Sequence, residues 1–446
     1  MEKPLEVLDM SYSDHLDDLL ELADYLKNRS GSTSTVVITN DKSVASRALK
    51  SDKGLFISSP GGAVIDGLSE SGYWVDYKDI NQNFLADKVL VTIGYLEDLP
   101  KQTRSIKKFK RLQSLAVFSV VTCQRTDWWT QKKFNKYFRL DGQLLGHINQ
   151  TFIKVDGKAA EIRNYRDKEQ RCLAIVPQYN ESDIIPHVIN HLIEQGMDVH
   201  VIDNWSDDGS YEIVKKMSEQ RPEHISVERF PDRASGKYEW GLILDRVSEV
   251  AYQKRKMYNW AMLNDADEIR RSPWKDISLC RAFSFIDHLG YNSVDFTLFN
   301  FSPVSEGYDG SIRPQDYFNF GEFPIDGWAF LQIKAWKTTH KADLSSSGGH
   351  HALIPNQRVY PLKFLLNHYP VRSSKQAAKK IFKDRKPRFM KEELDKGWSR
   401  HYDKVKENTK FIKDAEKLID VLDDFDEKYL LERLSGVGTS HRPQKD

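Results

Sequence analysis

Two short apolar runs, Leu173-Ala174-Ile175-Val176 and Val199-His200-Val201-Ile202, enclose a stretch where Ile184, Ile185, Val188, Ile189, Leu192 and Ile193 recur at helical spacing. Runs this apolar read as buried strands, and the stretch between them as an amphipathic helix. The unit is strand, helix, strand, the building block of a parallel sheet. The first run breaks at Pro177 into Gln178-Tyr179-Asn180-Glu181, and the second ends in Asp203-Asn204-Trp205-Ser206-Asp207-Asp208-Gly209-Ser210. A third apolar run, Trp260-Ala261-Met262-Leu263, leads into Asn264-Asp265-Ala266-Asp267-Glu268. In an open parallel sheet the carboxyl ends of the strands form the rim where ligands bind. Acidic loops and a D-x-D on that rim suggest a metal-held diphosphate.

These three strand ends, in this order, resemble the nucleotide-sugar-binding half of family 2 glycosyltransferases, which have the GT-A fold. The family pattern is a strand ending P-x-Y-N-E, a second ending D-N-x-S-x-D-G-S, and a later D-x-D. Here these correspond to Pro177 to Glu181, Asp203 to Ser210 with Asp207 inserted beside Asp208, and Asp265 to Asp267. The resemblance is firm from about residue 172 to 273 and weaker to about 400. It does not reach residues 1–165.

The resemblance implies an inverting transfer of a sugar from a nucleotide-diphosphate sugar to a glycan, lipid-linked or other hydroxyl acceptor, with Mn or Mg as cofactor. It implies a donor site made of Pro177, Tyr179, Glu181, Asp203, Asp208, Lys237 and Asp265. Tyr179 and Glu181 would flank the base and ribose, and Asp203 would accept from one of them. Asp208 and Ser210 have a second reading as caps of the following helix. Asp265 and Asp267 would hold the cation, with Asp267 the more direct ligand, because oxygen donors suit Mg and Mn. His351 or His368 would complete that site, as a late histidine does in some GT-A enzymes; the other reading is a packed loop residue. The attacking hydroxyl needs a general base. The family's usual E-D pair is missing from the expected region, leaving Glu322 and Asp326 as the nearest candidates.

A chain of 446 residues is too long for one ordinary core. We expect an N-terminal Rossmann-like, doubly wound α/β domain over residues 1–165, a GT-A domain over 166–400, and a C-terminal helix with a disordered tail over 401–446. In the first of these, Val36 to Thr39, Leu55 to Ser58, Val89 to Ile93 and Leu115 to Val121 read as strands between helical stretches near 14–28, 42–50, 63–71 and 101–113. Ser58-Ser59-Pro60-Gly61-Gly62 reads either as an anion-binding nest or as a plain tight turn. Residues 127–171 read as a helix and connector. The net charge of +1 argues against a nucleic-acid partner. Three well-separated cysteines give neither a disulfide framework nor a zinc spacing, and with no span of ~18 apolar residues a cytoplasmic setting is expected.

Residues 290–340 are rich in aromatics, as acceptor-side walls often are, and Ser345 to His351 reads as a mobile loop. Residues 372–388 carry eight cationic side chains against one Asp. Three readings stand for this stretch: a clamp on the leaving pyrophosphate, a solvated face, and a peripheral contact with the inner face of a membrane. Two other functions compete with glycosyl transfer. A nucleotidyltransferase would favour a Gly-rich basic loop after the first strand, which Pro177 to Glu181 is not. A non-catalytic nucleotide- or partner-binding scaffold is kept open by the missing E-D pair.

Overall fold

The computed structural model describes residues 170–422 apart from 274–276, 289, 325–330, 361 and 396–404. Before residue 170 it describes 34–39, 55–58, 88–93, 118–124, 144–148 and 151–156, with single positions between 20 and 84. The chain divides into two compact units, Met1–Tyr165 with Asp426–Asp446, and Arg166–Phe425.

In the first unit, β1 (Ser34–Thr39), β2 (Leu55–Ser58), β3 (Lys88–Ile93) and β4 (Phe118–Gln124) are followed by β5 (Leu144–Ile148) and β6 (Thr151–Asp156). They form one sheet in the order β2-β1-β3-β4-β6-β5. The first four strands are parallel, as their apolar runs predict, and β6 and β5 add an antiparallel edge. That hairpin departs from the helix and connector expected over 127–171. Its signal was the β-branched and aromatic content of Thr151-Phe152-Ile153-Lys154-Val155, residue types that favour strands. Leu20, Ala23, Ala45 and Ala48 are helical and buried, within two of the expected helices. The glycines of the proposed nest lie outside the described residues.

In the second unit, β7 (Cys172–Gln178), α1 (Ile185–Glu194) and β8 (Met197–Asp203) are the expected strand, helix and strand. Ile185, Val188, Ile189 and Leu192 are the buried stripe of α1. Then come α2 (Ser210–Gln220), β9 (Ile225–Arg229), α3 (Trp240–Gln253), β10 (Trp260–Leu263), β11 (Glu268–Arg271) and α4 (Leu279–His288). Strands β10, β7, β8 and β9 are parallel neighbours, so their carboxyl ends share one rim. Pro177 does not end β7, which continues to Gln178. Ile175 O accepts from Asn264 N on the β10 side, and β10 has ended at Leu263. The missing N–H of Pro177, two residues on, therefore leaves no ladder bond open.

The sheet continues through β12 (Ser293–Phe301), β13 (Phe320–Glu322), β14 (Ile333–Lys337), β15 (Phe364–His368) and β16 (Ile419–Asp420). Its order is β11-β15-β12-β14-β10-β7-β8-β9, with β13 on β12 and β16 on β13. Residues 405–422 therefore depart from the expected amphipathic helix: they hold a single 3-10 turn, Ala415–Lys417, and a short strand that extends the sheet. Several aromatics of the 290–340 region pack on one another. Phe301 stacks on Tyr369 at 4.8 Å, and Phe299, Phe318 and Phe323 pack around them, all buried.

Cys172 on β7 and Cys280 on α4 form a disulfide with Cα atoms 5.7 Å apart, a correction to the expectation of unpaired cysteines. Their separation of 108 residues left no local spacing to read.

Candidate active site

The rim is built by fastening two loops together. Asn180 N donates to Ser206 Oγ at 3.1 Å, Glu181 N to Ser210 Oγ at 2.9 Å and Ser182 N to Asp208 Oδ2 at 3.1 Å. Asn180 and Asp207 exchange a reciprocal pair, Nδ2 to Oδ1 at 2.8 Å and Asp207 N to Asn180 Oδ1 at 2.9 Å. Asp207, an insertion by the family pattern, is thus part of the clasp. Asn180 and Trp205 take left-handed φ values of 57° and 61°, a conformation to which the clasp holds them.

Asp203 lies at the floor, fully buried. Its Oδ1 accepts from Gln178 Nε2 at 2.9 Å and its Oδ2 from Ser206 N at 3.0 Å. Burial pushes its carboxyl above the usual range, only partly offset by those donors. Both oxygens therefore shape the loop from inside. Asp208 accepts from Ser210 and Ser182 from the position before the N-cap, Gly209, which has no side-chain cap; burial raises its carboxyl, but these donors outweigh it and hold it below the usual range.

Glu181 is turned inward. Its Oε2 accepts from Arg372 Nη2 at 2.6 Å and its Oε1 meets Lys380 Nζ at 2.7 Å. Arg372, with no exposed surface, also grips Asp183 through Nε at 2.7 Å and Nη2 at 2.8 Å, and donates to Tyr369 O at 2.9 Å. The basic stretch that supplies these cations is a short helix, α5 (Ser374–Ala378), a π-helical turn (Lys379–Arg385) and a 3-10 turn (Lys386–Arg388). It does not read as one solvated face, since Arg372 and Lys380 are buried among carboxylates more than a hundred residues away in sequence. At its end, Arg388 lies 3.6 Å over the Tyr179 ring and donates to Asn204 Oδ1 at 2.8 Å and to Lys237 O at 3.2 Å. Tyr179 and Lys237 are thereby placed on the rim.

The D-x-D follows β10. Asp267 is 7 % exposed and its Oδ2 accepts from Lys380 Nζ at 2.7 Å. Burial pushes its carboxyl up, but Lys380, His368 and Arg372 outweigh burial and hold it well below the usual carboxylate range. Asp265 Oδ2 accepts from Lys334 Nζ at 2.8 Å, whereas its Oδ1 is buried without a hydrogen-bond partner. Glu268 is buried between Arg270 and Lys334. Burial raises its carboxyl, yet these two cations bring it down to about 2.

His368 is the histidine that reaches the D-x-D, with Nε2 3.6 Å from Asp267 Oδ2. On its other side Nδ1 meets Asn300 Oδ1 at 2.8 Å. With the amide assigned so, Nδ1 donates, and Nε2 faces the Asp267 carboxylate: in the charged ring it donates to Asp267, and in the neutral ring it offers its lone pair to a cation held there. His351 is engaged elsewhere, its Nε2 on Gln357 Oε1 at 2.7 Å. Its loop is pinned rather than mobile: Trp240 Nε1 donates to Gly348 O at 2.9 Å, and Ser345 Oγ donates to Asp245. Glu322 lies on β13 opposite Asn300, so Glu268, His368, Asn300 and Glu322 form one register line across four strands. Its carboxylate is paired with Lys413 Nζ. Asp326 lies outside the described residues.

Among the described residues no three His, Cys, Asp or Glu side chains converge as a ready-made cation site. The donor chemistry nevertheless suits Mg or Mn: an orphaned carboxylate oxygen on Asp265, the Asp267 carboxylate and an imidazole lone pair beside it. Lys380 and Lys334 lie on the carboxylates that such an ion would use.

Residues 173–239 match the model of the family described as Glycosyl transferase family 2. The matched segment spans β7 to the start of α3 and contains both clasped loops; Asp265 and Asp267 lie beyond it. The second unit is thus a mixed α/β sheet with a parallel centre, and its residues 173–239 are similar to family 2 glycosyltransferases. Among solved structures, the chain is similar to the mannosyltransferase PcManGT from Pyrobaculum calidifontis in complex with GDP-Man and Mn2+, at 18 % identity and a TM-score of 0.25. The similarity covers 47 % of this chain and 62 % of that one, so less than two thirds of that protein's length is spanned. No curated protein matches the chain. Among the described residues no helix is long and apolar enough to cross a membrane.

Proposed function

We propose that the second unit transfers a sugar, with inversion, from a nucleotide-diphosphate sugar to a hydroxyl of a glycan or lipid-linked acceptor. The observation that carries this reading is the common rim: a family-matched pair of loops clasped at the ends of β7 and β8, with the D-x-D at the end of the adjacent β10. Tyr179, Asn204 and Lys237 present the surface for the nucleoside, and Arg388 stacks over Tyr179 at its edge. Asp203 and Asp208 act from within, fixing the loops that carry those residues.

Asp265, Asp267 and His368 are the residues that would hold Mn or Mg. When bound, such a cation supplies counter-charge to the diphosphate as its bond to the sugar breaks. The chain itself brings further positive charge to the same rim through Lys334, Lys380 and Arg372, in a buried setting where charge acts strongly. The acceptor hydroxyl gives its proton to a carboxylate, for which Glu322 and Asp326 are the candidates. Glu322 is on the sheet face that also carries His368, and releasing it from Lys413 would free it as a base. The outward Lys375, Lys379 and Lys383 are the part of the basic stretch left to meet an anionic acceptor or membrane surface.

The test is nucleoside diphosphate release from a panel of UDP-, GDP- and ADP-type sugar donors with Mn present. One donor class should be cleaved, and activity should be lost in Asp267→Ala. Pyrophosphate release from a nucleoside triphosphate and a sugar phosphate, with no donor cleaved, would establish the nucleotidyltransferase instead.

A further inference from the structure

We infer that Lys380 is a tethered cation that holds the place of the divalent ion and is displaced when that ion binds. The inference rests on the proposed assignment of Asp267 as a cation ligand. Lys380 comes from the π-helical turn Lys379–Arg385 and is only 8 % exposed. Its ammonium sits 2.7 Å from Glu181 Oε1 and 2.7 Å from Asp267 Oδ2, bridging the loop after β7 and the loop after β10. Two buried carboxylates from different strand ends, bridged by one positive centre, is what a bound cation would achieve at this place. Without that centre they would repel each other in a poorly solvated setting.

The bridge is suited to exchange rather than to permanent structure. Glu181 keeps a second partner in Arg372, and Asp267 keeps His368, so neither carboxylate is stranded when the lysine leaves. Arg372 differs: it holds Glu181 and Asp183 with a rigid planar fork from a fully buried position, the geometry of a fixed strut. Lysine is a flexible point charge on a long stem, and the π-turn that carries it is a form found often at functional sites. A displaced Lys380 remains on the rim, where its charge would meet donor phosphates.

The experiment is a Mn titration read by electron paramagnetic resonance, without nucleotide, on the full chain and on Lys380→Met and Lys380→Arg. Removing the competing ammonium should tighten Mn binding by about tenfold or more, whereas Lys380→Arg should stay within about threefold of the parent chain. A second readout needs no variant. Reductive methylation of Lys380, followed by mass spectrometry, should rise when Mn is added, because the amine is released. A lysine with a purely structural role gives Lys380→Met no gain in Mn affinity and leaves methylation unchanged or lower, and either result overturns the inference. If the parent chain binds Mn with a nucleoside diphosphate but Lys380→Met gains nothing, only the tethered-cation inference fails. If no form binds Mn, with or without nucleotide, the cation assignment to Asp265 and Asp267 fails as well.

Discussion

Arg372→Met should be among the most damaging single substitutions in the second unit. Arg372 has no exposed surface and donates to Glu181, to both oxygens of Asp183 and to Tyr369 O at 2.6 to 2.9 Å. Burial alone would lower its pKa, yet the two carboxylates outweigh this and raise it above the ordinary value, the mark of a guanidinium held in its charged form. Methionine fills similar volume without charge, leaving Glu181 with Lys380 and, at 4.0 Å, Arg385, and Asp183 without the fork that grips both its oxygens. Breaking a buried pair by removing one member costs about 3–5 kcal/mol, since the remaining charge stays desolvated. For a domain of this size about 2–4 °C of Tm is lost per kcal/mol, so the transition of the second unit should fall by about 6–20 °C. Arg372→Lys keeps the charge but loses the fork, and should cost about half as much. Differential scanning calorimetry, with far-UV circular dichroism to check folding at low temperature, is the assay. A loss below about 1 kcal/mol in Arg372→Met would refute the claim that this side chain sets the Tyr179–Asp183 loop.

Three further outcomes are expected. Glu268 has a lower pKa in the folded chain, about 2, than its ordinary 4.5. Its stabilisation is therefore complete above the ordinary value and lost as pH falls from about 4.5 towards 2, on the order of 3 kcal/mol. Tm against pH should steepen in that window, and the steepening should shrink in Glu268→Gln. Gly310 has φ +84°, and an added Cβ would lie 2.5 Å from the Asp183 backbone oxygen, so Gly310→Ala should cost about 2 kcal/mol or more by urea unfolding. Asp207→Ala removes the bond from Asn180 Nδ2 while keeping the one its backbone N–H donates to Asn180 Oδ1, and should cost about 1–2 kcal/mol while weakening nucleotide binding by calorimetric titration.

The strand–helix–strand core was legible because its pattern is local: β7, β8 and β10 are apolar runs, and α1 repeats its buried residues within ten positions. The rim motifs sit at the ends of those runs, so their place followed directly. What could not be read was pairing over long separations. Strand β15 lies between β11 and β12, and nothing near Phe364 announces either neighbour. Arg372 and Lys380 look like their six cationic neighbours in a basic run, and only Glu181 and Asp267, brought over by the fold, distinguish them. The aromatics after residue 290 are plain in the composition, but composition does not say which rings meet, and here Phe301 stacks on Tyr369 and Phe299 meets Phe323 edge-on. His351 and His368 stand in similar polar loops by sequence, and the β11–β15 register places His368 beside the D-x-D.

The central claim is that the rim at the ends of β7, β8 and β10 binds a nucleoside diphosphate. Thermal denaturation with UDP, GDP, CMP and ADP, each with and without Mn, tests it most directly, since a ligand of the folded state must raise Tm. The account predicts a Mn-dependent rise with one diphosphate that disappears in Asp265→Ala/Asp267→Ala. A rise that survives this double substitution, or no rise with any nucleotide, would contradict it.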